Sequence, residues 1–140
     1  MKYPRPTVVM PGEFKPLSDE AHFAPARWAG TTLFISGQTG INEAGDRPES
    51  PGAEARVAFT RIRQIVEFAG LTLNDVVSIT TYHVGDASDI HGWFGPVRDE
   101  FFGEPWPCWT AIGVASLGDV NAQLEISAVA YDPAESGEES

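Results

Sequence analysis

Residues 122–130, AQLEISAVA, alternate so regularly that they read as a β-strand with two distinct sides. Leu124, Ile126, Ala128 and Ala130 suit a core, while Gln123, Glu125, Ser127, Val129 and Tyr131 point the other way. The second side constrains the fold most, because it is neither polar nor apolar. It sets a carboxylate among apolar neighbours, and an ionised carboxylate rarely stays there without a partner, a water or a role. A preceding strand is predicted at 108–114, CWTAIGV, from its β-branched and aromatic content. Ala115 to Asn121, which holds Gly118-Asp119, is the loop between them.

Upstream, the clearest element is a helix. Ser50-Pro51 supplies an N-cap hydroxyl and a proline suited to the first turn. Ala55, Ala58, Phe59, Ile62, Ile65, Val66 and Ala69 then recur with the spacing of a single buried face. Glu54 suits the positive end of the helix dipole, and Gly70 is the expected stop. Strands are predicted at 7–10 (TVVM), 26–28, 32–36 (TLFIS) and 76–84 (VVSITTYHV), with loops over 11–25 and 39–52. A second helix, capped by Ser88 or Asp89, presents Ile90, Trp93, Phe94, Val97 and Phe101. Gly92, Gly95 and Pro96 weaken it, so that it is bent or starts only at Pro96.

The order β-β-β-α-β-α-β-β implies an α+β fold: a mixed sheet with both helices on one face. The other, half-apolar face then needs cover, and a second copy of the chain is the expected source. At 140 residues the chain is expected to form one domain over 1–131, with an acidic tail at 132–140 that is expected to be disordered. A net charge of −11 opposes nucleic-acid and anionic-membrane partners, a ribonuclease role included. The N-terminus lacks the apolar run of a signal peptide, so a cytoplasmic location is expected. Cys108 is the only cysteine and is expected as a buried, inert thiol; His22, His83 and His91 lack metal-ligand spacing. SGQTG (36–40) lacks the spacing and following helix of a phosphate-binding loop, and reads as backbone packed close to a cleft.

Four pieces, in order, carry a family resemblance: FAPARWAGTTLFISGQTG, RIRQIVEFAGLTLNDVVSITTYHVGD, EFF followed by a proline, and LEISAVA. From about Phe23 to Ala130 the chain resembles the RidA/YjgF family of enamine/imine deaminases. The resemblance implies a chorismate-mutase-like fold, a homotrimer with clefts between subunits, and hydrolysis of small enamines or imines without metal or cofactor. It further implies that Glu125 positions the attacking water. Ser36, Gly37 and Phe23 match the family's early strand and its aromatic position, and Ala111 matches a backbone substrate contact.

At Trp109 the chain departs from the family, where an arginine clamps the substrate carboxylate. Indole has one N–H and no charge, and breaking such a buried pair costs about 2–5 kcal/mol. The usual 2-imino-acid substrates are therefore expected to fit poorly. Trp109 is either interface packing or the floor of an apolar pocket, with Thr110, Phe23 and Trp93 as further candidate contacts. Arg98 and Arg27 are candidates for a relocated anion clamp, although either also reads as a solvated surface charge. The alternative to an enzyme is a non-catalytic small-molecule-binding trimer on the same scaffold.

Overall fold

In the computed structural model, which describes residues 7–133, six strands form one sheet. They are β1 (Val8–Val9), β2 (Ala26–Ala29), β3 (Thr32–Thr39), β4 (Val76–Val84), β5 (Cys108–Val114) and β6 (Leu124–Tyr131). Their spatial order is β1-β2-β3-β6-β4-β5, with β4 and β5 parallel and every other neighbouring pair antiparallel. The last two strands are therefore not neighbours: β4 lies between them. Helices α1 (Lys15–Ala21), α2 (Pro51–Phe68) and α3 (Phe94–Arg98) complete the chain. This is the expected α+β architecture, and among the described residues no helix is long and apolar enough to cross a membrane.

Helix α2 forms where its spacing places it. The Ser50 side chain accepts from the Ala53 N–H at 3.1 Å, and Gly70 ends the segment at φ +88°. Its apolar stripe is buried against β3 and β6, and each large side chain contributes about 1.5–3 kcal/mol of burial. Phe59 is the centre of an aromatic cluster with Phe94, Phe101 and Phe102, at ring-centroid distances of 5.9, 5.1 and 5.5 Å.

Several local expectations change. Residues 15–21, read as loop, are helical: proline is tolerated in a first turn, and His22 closes the helix in the left-handed region, its N–H donating to Ser18 O. No residue of α1 is buried, so it leaves no periodic apolar signal to read. The second helix shrinks to five residues, preceded by a 3-10 turn (Ala87–Ile90) that Asp86 caps instead of Ser88 or Asp89. Strand β3 continues past Gly37 to Thr39, and Cys108 is exposed where a buried thiol was expected. Asp132, assigned to the tail, still donates its N–H to Thr31 O; the tail from 134 onward lies outside the described residues.

Candidate functional site

Along β6 the alternation is as the sequence predicts, with Leu124, Ile126, Ala128 and Ala130 buried and Glu125, Ser127, Val129 and Tyr131 half-buried on the open face. Glu125 stands opposite Thr39 of β3 and Tyr82 of β4. A bulge distorts β3 beside it. Ile35 pairs with Ala128 and Gln38 with Ile126, so Ser36 and Gly37 together face Ser127.

Three contacts hold that bulge. Ser36 donates its hydroxyl to Ala24 O at 2.6 Å and its N–H to Pro25 O at 2.9 Å. The buried Gln38 side chain donates to Ser36 O at 3.1 Å. Arg61 of α2 donates to the carbonyls of Thr39 and Ile41, which ties the end of the bulged strand to the helix. The Glu125 carboxylate lies directly over Gly37: a Cβ there would stand 2.6 Å from Oε2 and 2.8 Å from Cγ. A side chain at 37 would therefore force the Glu125 side chain to shift.

Burial, followed by the nearby Asp119 carboxylate, raises the Glu125 pKa above its ordinary value. Among the described residues no hydrogen bond reaches its carboxylate. A half-buried, unpartnered acid with a raised pKa can take a proton from water and return it to a leaving group. The bulge residues Ser36 and Gly37 lie beside Glu125, and Phe23, which is exposed, precedes the Ala24 carbonyl that Ser36 grips.

The remaining candidates lie elsewhere. Trp109 pairs with Ile79, and Ile79 with Ala128, which puts the indole on the helix-covered face, opposite to Glu125. There it stacks on Phe94 at 5.1 Å and 16°, and donates Nε1–H to Thr81 Oγ1 at 2.9 Å. Ala111, beside Thr81, shares that face, and Trp93 packs there against His83 and Phe94. Thr110 is exposed on the open face of β5. One chain therefore does not bring Trp109 and Glu125 together, and a crevice walled by both needs two copies.

Sequence reading missed the roles of Gln38, Asp119 and the Thr81–His83 pair. The signal for the last was present, since two polar residues fall on the buried positions of β4. His83 Nε2 lies 2.8 Å from Thr81 Oγ1, and burial lowers its pKa.

Compared with known families, residues 15–132 match the one described as Endoribonuclease L-PSP. The RutC family protein YjgH of Escherichia coli K12 is 28% identical over 122 residues, covering 87% of this chain and 93% of its own. A 2-iminobutanoate/2-iminopropanoate deaminase of Dermatophagoides farinae is 32% identical, covering 76% of this chain and 83% of its own. Among solved structures, protein YjgH superposes with a TM-score of 0.78 at 31% identity, over 89% of this chain and 95% of that one. RidA from the Antarctic bacterium Psychrobacter sp. PAMC 21119 gives a TM-score of 0.71 at 33% identity, over 79% and 88%.

Proposed function

Since the chain belongs to the endoribonuclease L-PSP (RidA/YjgF) family, we propose that it hydrolyses small enamines or imines in clefts formed between copies of itself. Water adds to the C=N carbon, the amine nitrogen leaves as ammonia, and a carbonyl remains. Glu125 accepts the proton of the attacking water and delivers it to the departing nitrogen. One observation carries this reading: a half-buried carboxyl of raised pKa, without a hydrogen-bond partner among the described residues, held above a glycine that leaves it room.

The cleft is completed by self-association, for which a homotrimer is the assembly we infer. Phe34 and Ile112 are 52% and 38% exposed on the open face, and Val129 lies between β3 and β4 on the same side. A patch of this kind is covered in a stable assembly. A net charge of −11 argues against an RNA substrate despite the family's name.

Imines generated in situ from amino acids of several side-chain types test the reaction. Glu125→Ala is expected to lower turnover at least ~100-fold, while the wild-type rate falls on the acid side at a higher pH than an ordinary carboxyl would dictate. Equal turnover in both proteins removes Glu125 from the mechanism. A second reading, a binding trimer without turnover, is favoured by the commitment of Trp109 to Thr81 and Phe94, which leaves no charge at that position. It prevails if no imine is consumed.

A further inference from the structure

Strand β4 places two polar side chains, Thr81 and His83, at buried positions of the helix-covered face. The Thr81 hydroxyl meets two nitrogens, Trp109 Nε1 at 2.9 Å and His83 Nε2 at 2.8 Å. An indole N–H can only donate, so Thr81 Oγ1 accepts from Trp109. The hydroxyl proton then needs an acceptor, and among the described residues His83 Nε2 is the one within reach. His83 Nε2 is therefore bare, which puts the ring's proton on Nδ1. Donation runs in one direction, from Trp109 to Thr81 to His83.

The surroundings favour the neutral ring. Trp93 and Phe94 meet it edge-on, at centroid distances of 6.3 and 5.7 Å. Gly113 pairs with His83 on β5, and a Cβ there would stand 2.5 Å from Gly85 O, so the turn after β4 closes over the strand at this point. Nδ1 has no protein partner among the described residues and is not sealed, since Glu54 Oε2 is the only buried side-chain oxygen or nitrogen among them left without one. Of the charged groups on neighbouring elements, Asp86, Asp89 and His91 in the turn are exposed, and Arg98 of α3 lies 5.4 Å from the Trp109 ring centroid. Glu54 of α2 is engaged with Gln123, and Glu125 of β6 points to the other face of the sheet. None of these sets the His83 pKa; burial lowers it below the ordinary 6.5.

We propose that His83 is a positioning residue: a neutral ring, protonated on Nδ1, that holds the Trp109 indole through Thr81 and releases it on acidification. A second proton can enter only at Nε2. That N–H would point at Thr81 Oγ1, which would then face two N–H donors while its own proton has no acceptor among the described residues. The Trp109 bond is the one that yields, because Trp109 is half-buried whereas both strand residues are buried. With the folded pKa below 6.5, the anchored form is complete above that value and is lost as pH falls through the lowered one. Any effect on turnover rests on the hydrolase reading given above, but the hydrogen-bonded relay does not.

Nitrogen-resolved NMR of the full chain tests it. Near pH 8, His83 Nε2 is expected to resonate as an unprotonated nitrogen and Nδ1 as a protonated one. The Trp109 Nε1–H signal, identified by its loss in Trp109→Phe, is expected to shift on acidification with the same midpoint as the His83 ring. His83→Gln supplies a carbonyl acceptor that does not titrate, and should abolish that shift. Thr81→Val removes the hydroxyl and should speed deuterium exchange of the indole N–H roughly 10-fold, with Thr81→Ser restoring it. A ring protonated on Nε2 near pH 8 overturns the proposal, as does a Trp109 signal that ignores the His83 titration. So does imine hydrolysis whose acid limb in kcat/KM is identical in wild type and His83→Gln. The wild-type tautomer and the Thr81 pair decide the matter if His83→Gln does not fold. A relay seen by NMR in a protein that hydrolyses no imine upholds this inference and defeats the hydrolase. Glu125-dependent hydrolysis in a protein whose Trp109 signal is blind to His83 does the reverse.

Discussion

The two faces of the sheet hold two acids, and they are treated oppositely. On the helix-covered side Glu54, 0% exposed, accepts from the Gln123 N–H at 3.2 Å and has Arg47 at 3.9 Å. Burial is the largest influence on it and raises its pKa, with Gln123 and Arg47 opposing and Asp119 adding to the rise. On the open face Glu125 is also raised by burial and by Asp119, with nothing opposing. The raised pKa alone therefore does not tell a structural acid from a reactive one. The difference lies in the partners. Glu54 joins the first turn of α2 to the loop before β6, whereas Glu125 has an open side and a glycine beneath it.

The largest expected effect lies on the covered face. Phe59→Ala should cost about 3–5 kcal/mol in urea unfolding, because the aromatic cluster around it cannot close over the cavity. A loss as small as that of an exposed phenylalanine would show that the two faces do not differ in packing. Next, Gly37→Ala should lower kcat roughly 10- to 100-fold by displacing the Glu125 carboxylate, while shifting stability by less than about 1 kcal/mol. Unchanged turnover would mean that the acid does not act from that position.

The smallest effect concerns Glu54. Its folded pKa is raised, so the folded chain holds the proton more tightly than the unfolded one. Its contribution to stability is therefore full below the ordinary value of 4.5 and is lost as pH rises through the raised value. Glu54→Gln keeps an acceptor for the Gln123 N–H and should flatten that decline, gaining on the order of 1 kcal/mol over wild type near pH 8. Thermal melts across pH measure it. A parallel decline in both proteins would assign the pH dependence to other groups.

Much of this was legible in the residue order. Helix α2, strands β4 and β5, and the two sides of β6 fall where periodicity places them, because each pattern is local to its own element. Helix α1 was hidden because it buries nothing, and α3 was overstated because two glycines and a proline interrupt an apolar stripe that tertiary contacts still use. For the site, Glu125, Ser36 and Gly37 were identifiable as residues, but the Glu125–Gly37 contact depends on a bulge that no local pattern announces. Arg98 was visible as a charge, but its approach to the Trp106 and Trp109 rings was not, since those residues lie in a loop and a strand beyond the helix.

By itself the sequence determined that Glu125 points away from the helices, since alternation within one strand sets the side of every residue on it. It could not determine that Trp109 points toward them. The parity of one strand says nothing about the next until a register joins them, and here β4 stands between β5 and β6. Only long-range pairing put the indole and the acid on opposite faces, and only packing around Phe94 set Arg98 against that indole.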